Sequence, residues 1–368
     1  MFKKPIFTGL LTALIALTSI TAMAYTVPAN NRVKFNLDIG WKLNKGDVSG
    51  AEATSFNDAS WTTISVPHAW NEDDAFAKSV STGIAWYRKH FTIPATYAGR
   101  KVFVEFEEIR QAGEVYCNGT LVGRSENGVS ASGFDITSNV KMDGTDNVIA
   151  VKTDNSYSYA EVSSGTGFQW NRGSYTTNFG GITQNVYLHI ADKCYQTLPL
   201  IVNLQTVGTY IYGKNYTISS GAKAEIPTGS ADITATSQVK NESGASQTVS
   251  FQVDIVDKDG TLVKTLTGTD QTIAAGALGT ITATGNVTGL NLWSIGHGYL
   301  YDVYTILKVG GTATDVVKTR TGFRKMDYGN GIAKINDRIM HLKGFAWRSQ
   351  NPWPAIGDAV PMYYRPHE

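Results

Sequence analysis

The sequence predicts an all-β chain built from sandwiches in tandem. Three observations carry that prediction. Short segments alternate apolar and polar residues from end to end, the period-two signature of strands with one buried face. No apolar face of three or four helical turns occurs between residues 25 and 320. The composition agrees, with 37 Gly, 11% aromatic and only 17% charged residues among 368. Coiled coils, long helical bundles and disordered chains are rich in charge and poor in aromatics, so all three are excluded. Basic residues number 32 and acidic residues 31, which removes the electrostatic footprint of a nucleic-acid binder. At about 150 residues per domain the length allows two or three domains.

The elements follow in order along the chain. Lys3 and Lys4 precede an uncharged apolar stretch over residues 6–20, and Ala22-Met23-Ala24 supplies the small residues of a leader cleavage site. Residues 1–24 therefore read as a signal peptide. Cleavage would start the mature chain at Tyr25 and send it to the periplasm or outside the cell. An uncleaved anchor is the alternative, because residues 5–25 are just long enough to span a bilayer. No later segment approaches about 18 apolar residues, so no membrane contact is expected after cleavage. Strand patterns follow at residues 101–107, 147–152 and 184–190. Residues 114–117 and 121–123 flank Asn118-Gly119, the chemistry of a type I′ hairpin turn. Near residues 191–195 the texture changes from Trp-rich loops to clean alternation at 231–236, 249–255, 281–284 and 301–306. About seven strands in about 130 residues is an immunoglobulin-like count. A second boundary falls near Gly322, and a short apolar strand follows at 339–344. Cys117 and Cys194 lie in or beside strand patterns and read as buried free thiols, although export would permit a disulfide. Neither has a His at ligand spacing, so no zinc site is expected.

Nine segments, in order, resemble glycoside hydrolase family 2, the family of β-galactosidases, β-glucuronidases and β-mannosidases. They begin with Phe35-Asn36-Leu37-Asp38 and Gly40-Trp41. Phe56-Asn57-Asp58-Ala59-Ser60-Trp61 with Val66-Pro67-His68-Ala69-Trp70 follows, Ala69 standing where the family has Asp. Gly83 to Phe91 resembles "GxxWYRKxF", and Val115-Tyr116-Cys117-Asn118-Gly119 resembles "VxxNG". Phe134-Asp135-Ile136-Thr137 and Gly180-Gly181-Ile182 come next. Leu292-Trp293-Ser294, Thr321-Gly322-Phe323-Arg324 and Asn336-Asp337 with Leu342-Lys343-Gly344 complete the order. The resemblance implies a jelly-roll, galactose-binding-like sandwich over residues 25–194 and an immunoglobulin-like sandwich over 195–322. Residues 323–368 would hold only the start of a (β/α)8 barrel, a domain of about 250 residues when complete. It also implies an exported, exo-acting, retaining β-glycosidase, most like a β-galactosidase, with an oligosaccharide or glycoside as its partner.

Retaining hydrolysis needs two carboxyl groups about 5–5.5 Å apart. The family carries them on barrel strands, and one Glu follows an Asn. Asn71-Glu72 and Asn241-Glu242 are the Asn-Glu pairs of this chain, and both fall in the sandwiches. No catalytic residue is therefore assigned; the pair is expected in barrel sequence beyond this chain. No cofactor or metal ligand set is implied. The substrate-binding candidates lie in the loop 163–181 and at the start of the barrel. They are Trp170, Asn171, Arg172, Tyr175, Asn178 and Arg348. Aromatic faces pack on the C–H faces of sugars, while amides and guanidinium groups bond hydroxyls. Packing under a long loop is the competing role for Trp170 and for Phe179. Where the resemblance to β-galactosidases and β-glucuronidases implies a sugar-binding Asp a few residues before the Gly-Gly-Ile segment, this chain has Tyr175. Arg324 lies at the same barrel entrance as Arg348. Trp41, Trp61, Trp70 and Trp86 are expected in cores, and His68 as a hydrogen-bonded structural residue. Two other readings stay open: a non-catalytic, secreted carbohydrate-binding β-sandwich protein, and a structural or adhesive one. Homo-oligomerisation also stays open.

Overall fold

The computed structural model describes residues 24–76, 81–167, 178–219, 226–341 and 344. Among them the chain is all-β, with two short 3-10 turns and no α-helix. The first sandwich uses β1 (Val33–Asn36), β2 (Ile39–Lys45), β3 (Thr62–Ser65), β4 (His68–Ala69), β5 (Ile84–Thr92) and β6 (Lys101–Phe106). It continues with β7 (Ala112–Cys117), β8 (Thr120–Ser125), β9 (Ser132–Asp135), β10 (Asp146–Asp154), β11 (Gly181–Ile182) and β12 (Val186–Ala191). One sheet runs β1-β12-β6-β9 and faces a six-stranded sheet, β3-β2-β5-β10-β7-β8. The core lies between them. Trp41, Tyr87, Ile149 and Val151 come from the larger sheet, and Val104, Phe106, Phe134 and Leu188 from the smaller. The alternation read from the sequence is thus the alternation of core and outer faces. Asn118 and Gly119 take φ of 48° and 85° between the paired Cys117 and Thr120, the two positive values that a type I′ turn requires.

The second sandwich uses β13 (Cys194–Gln196), β14 (Thr209–Ile218), β15 (Thr228–Asn241), β16 (Gln247–Val256) and β17 (Leu262–Thr267). It is completed by β18 (Gln271–Ile273), β19 (Leu278–Asn291), β20 (Tyr301–Val309) and β21 (Thr312–Thr321). In one sheet β15 pairs β13 and β14 along one edge and β19 along the other. The facing sheet runs β17-β16-β20-β21, with β18 also on β16. Ile233, Phe251, Val253, Ile281, Tyr301 and Phe323 fill the space between. Cys194 packs in this second core rather than the first. Both cysteines are buried and free. A small sheet of β22 (Met326–Gly329), β23 (Ile332–Ile335) and β24 (Arg338–Met340) follows.

The junction between the sandwiches is packed. Tyr195, Leu198 and Leu200 fold back over Phe103 and Ala191 of the first sandwich, and the rings of Tyr195 and Phe103 lie 5.5 Å apart. Lys101 reaches Asp135 at 2.5 Å and Glu242 of the second sandwich at 3.2 Å. The Tyr195 hydroxyl also donates to Glu242, at 2.9 Å.

Candidate functional site

One end of the first sandwich gathers the loops that the sequence marks. There β4 pairs β11, with Gly181 opposite Ala69 and Ile182 opposite His68. This joins the Pro-His-Ala-Trp segment to the Gly-Gly-Ile segment. Trp70 N donates to the Gly180 carbonyl at 2.9 Å, and Gly181 exchanges backbone hydrogen bonds with Arg110 at 2.7 and 2.8 Å. The two glycines are packing requirements. Gly181 has φ of 137°, and a Cβ there would run into the Tyr87 hydroxyl and lie 2.6 Å from the His68 carbonyl. A Cβ on Gly180 would meet the Asn155 side chain at 2.5–2.8 Å.

Beneath this backbone sits a cluster of buried amides: Asn71, Gln111, Asn155 and Asn178. Asn71 Nδ2 donates to the carbonyls of Ser81 at 2.7 Å and Asn178 at 3.0 Å, while its Oδ1 accepts from Gly180 N at 3.0 Å. Asn155 Nδ2 donates to the same Asn178 carbonyl at 2.8 Å, and its Oδ1 accepts from Gly83 N at 3.0 Å. Asn178 Nδ2 bonds back to the Asn155 carbonyl, and its Oδ1 accepts from Gln111 Nε2 at 3.3 Å. Asn71, Asn155 and Asn178 each both donate and accept. Buried polar groups are stable when paired in this way. The cluster anchors Asn178 to the sandwich. Glu126 accepts from the Tyr159 hydroxyl at 2.6 Å and from Val162 N at 2.8 Å.

His68 stands beside this cluster. Its Nδ1 lies 3.3 Å from the Tyr87 hydroxyl, and its Nε2 lies 3.4 Å from Glu72 Oε1. Burial lowers its pKa, with Glu72 opposing, so the neutral ring dominates at neutral pH. The Tyr87 hydroxyl also donates to the His68 carbonyl at 3.2 Å, and burial holds that phenol protonated. The arrangement is a hydrogen-bonded polar floor. Its amides bond one another and the backbone, and among the described residues it holds no paired carboxylates. Among the described residues no three His, Cys, Asp or Glu side chains gather as metal ligands.

Of the sequence-predicted site residues, Asn178 is the one described, and it is buried with its amide bonded internally. Its place is in the floor. Trp170, Asn171, Arg172, Tyr175 and Arg348 lie outside the described residues. Glu242 belongs to the sandwich junction. The Arg324 guanidinium packs over the Trp293 ring at 5.3 Å, which joins the Leu-Trp-Ser and Gly-Phe-Arg segments. The Phe56 to Trp61 segment also has a structural role. Arg88, fully buried, donates from Nε to Asp58 at 2.8 Å and from Nη1 to the carbonyls of Ala51 and Ala53. Trp61 packs on Phe56 and Trp86 beside it. All four tryptophans expected in cores are buried. Asn71, Gln111 and Asn155 carry the floor and went unnoticed as a group. Their one sequence signal is position, each within a few residues of a recognisable segment.

Comparison with known proteins agrees with this arrangement. Residues 49–189 match the family described as "Glycosyl hydrolases family 2, sugar binding domain", and residues 209–324 match "Glycosyl hydrolases family 2". A beta-glucuronidase of Formosa agariphila is 33% identical over 92% of this chain and 34% of its own length. A beta-galactosidase of Thermoanaerobacter pseudethanolicus is 25% identical over 89% of this chain and 40% of its own. A solved beta-glucuronidase of glycoside hydrolase family 2 superposes with a TM-score of 0.76 at 33% identity, covering 85% of this chain and 32% of that one. The chain thus spans about a third of the length of the curated relatives it matches. With both sandwiches, the segment order and the relatives in agreement, the chain belongs to glycoside hydrolase family 2, of which it is an amino-terminal portion.

Proposed function

We propose that this chain is the amino-terminal part of an exported, exo-acting, retaining β-glycosidase, and that its substrate is a glucuronide rather than a galactoside. The observation that carries the sugar choice is the 33% identity to a protein named beta-glucuronidase, against 25% for the beta-galactosidase. This replaces the galactoside expected from the motifs alone, because those motifs are common to the whole family. In this reading the two catalytic carboxylates lie in barrel sequence beyond residue 368. One protonates the leaving oxygen and the other attacks the anomeric carbon. The first sandwich supplies a wall of the sugar site. Its buried amides and the Gly180-Gly181 turn hold that wall in one position, so little ordering is left for the moment of binding.

The test uses the whole enzyme encoded by the open reading frame that contains this chain. Aryl β-glucuronide, β-galactoside and β-mannoside substrates are compared by kcat/KM. The glucuronide is expected to lead by at least about tenfold, about 1.4 kcal/mol of transition-state discrimination. A galactoside preference refutes the sugar choice. No hydrolysis of any, together with calorimetric binding of a sugar, favours a non-catalytic carbohydrate-binding protein instead.

A further inference from the structure

Residues 24–32 precede the first strand of the first sandwich, yet they are bonded to the second. Tyr25 N donates to the Gly260 carbonyl at 2.8 Å. The Tyr25 hydroxyl donates to Asp254 Oδ2 at 2.8 Å, and its ring centroid lies 5.1 Å from that of Tyr304. Asn30 forms a reciprocal pair with Val316, at 3.1 and 3.0 Å. Asn31 N donates to the Thr314 carbonyl at 3.2 Å. Arg32 forks onto Asp315, with Nε–Oδ1 at 2.6 Å and Nη2–Oδ2 at 2.8 Å, and it also meets the Gln196 carbonyl. Asp315 is fully buried and takes Gln196 N at 2.7 Å as well. Chain termini are poorly ordered unless tied down. This one is tied along its length to β21 and to the turn 257–260.

We propose that this strap is a latch set by leader removal: cleavage after Ala24 creates a Tyr25 α-ammonium that seats on the Gly260 turn, and residues 25–32 then lock the two sandwiches together. The first step rests on the export reading above. The order of events follows from sequence separation. The side-chain partners of Tyr25 and Asn30 lie 229 and 286 residues downstream, and chains are made and folded amino terminus first. Asn31 is held by the first sandwich, through Asp192 at 2.7 Å and Arg100 at 2.6 Å, but Tyr25 has no partner until the second exists, so the cleavage point stays open to a peptidase. Docking afterwards engages Tyr25 N and closes that window. Cleavage also strengthens the dock. An ammonium donates charge-assisted hydrogen bonds, roughly twice as strong as the neutral bond of the uncut amide. The turn it meets carries Asp257 and Asp259. Lys258 lies on the same turn and is paired to Asp259 at 2.7 Å, and Asp257 Oδ1 accepts from Asp259 N and Thr261 N at 2.9 and 2.8 Å.

The experiment compares full-length mature protein, released from a fusion directly before Tyr25, with the same protein bearing a short uncut extension and with Tyr25→Ala. The readout is the rate at which a broad-specificity protease cuts within residues 25–32 under native conditions. Both altered proteins are expected to be cut about tenfold faster or more, the equivalent of about 1.4 kcal/mol of lost docking, while the sandwiches stay protected. Arg32→Lys, which keeps the charge and loses the fork, is expected to raise the rate without unfolding the chain. Equal rates for the Tyr25-start and extended proteins overturn the role of the ammonium. An unchanged rate in Tyr25→Ala and Arg32→Lys overturns the latch. Amino-terminal sequencing of the exported protein addresses the leader separately: a start other than Tyr25 overturns the cleavage step whatever the protease shows.

Discussion

Replacing Asp58 with Ala tests whether the Phe56 to Trp61 segment is structural. Arg88 is 0% exposed, and Asp58, 8% exposed, is its carboxylate partner. Removing one member of a buried pair typically costs about 3–5 kcal/mol, because the remaining charge is left uncompensated. Arg88 would keep the Ala51 and Ala53 carbonyls, so the low end, about 3 kcal/mol, is expected. That is a large share of a net stability of about 5–15 kcal/mol. At about 2–4 °C per kcal/mol for a unit of this size, the first transition should fall by about 6–12 °C. Urea and thermal melts followed by tryptophan fluorescence report directly, since Trp61 and Trp86 pack beside the pair. The double variant Asp58→Ala with Arg88→Met should recover part of the loss, because it removes the orphaned charge. The pH profile gives a second check. Burial would raise the Asp58 pKa, but hydrogen bonds from Arg88 and His90 override it and the net shift is downward. A lowered carboxylate pKa stabilises in full above its unfolded value of about 3.9 and is lost as pH falls toward the folded value. The gap between the native protein and Asp58→Ala should therefore be wide at pH 7 and close in strong acid. A loss below about 1 kcal/mol at pH 7, or a gap that widens in acid, would refute the reasoning.

Four further outcomes follow from the same geometry. Gly181→Ala should cost about 2–3 kcal/mol or prevent folding, since the new Cβ meets the Tyr87 hydroxyl at a φ that L-residues avoid; denaturant melts of the purified variant measure it. Asn178→Ala should cost about 1–3 kcal/mol by orphaning the Asn155 carbonyl and Gln111 Nε2, read by the same melts. Burial pushes the Cys117 thiol up to about 12 and the Cys194 thiol up to about 11, so a thiol reagent at pH 8 should label neither until denaturant is added, and then both. His68, with its pKa lowered chiefly by burial, stays neutral in the fold while the unfolded chain takes up a proton below about pH 6.5. Stability should fall as pH drops through that range, and His68→Gln should flatten the slope in melts at stepped pH.

What was legible in the sequence was local. The Asn118-Gly119 turn needs two neighbouring residues with positive φ, and the dipeptide announces it. The strands announce themselves through alternation because each has one face on a core. Long-range pairings carry no such signature. Asp58 and Arg88 stand 30 positions apart, and each reads as an ordinary surface charge until the loop 46–61 closes over the sheet. The strap is harder still: Asn30-Asn31-Arg32 reads as a polar lead-in, and its partners lie beyond the next domain. The sequence offers Asn178 as a sugar contact, and the fold buries its amide in internal hydrogen bonds. An amide can bond a sugar hydroxyl or a backbone carbonyl equally well, and only burial separates the two.

The packed junction bears on how such enzymes could exchange parts. Phe103 belongs to the first sandwich, but Tyr195, Leu198 and Leu200 cover it, and Lys101 is neutralised partly by Glu242 across the boundary. A recombination point placed between the sandwiches would strip an aromatic patch bare and strand a half-paired ammonium. Moving either sandwich alone onto another scaffold should therefore yield a sticky, poorly behaved module. The piece that can be transplanted intact is the pair, beginning no later than Tyr25 and ending no sooner than Phe323.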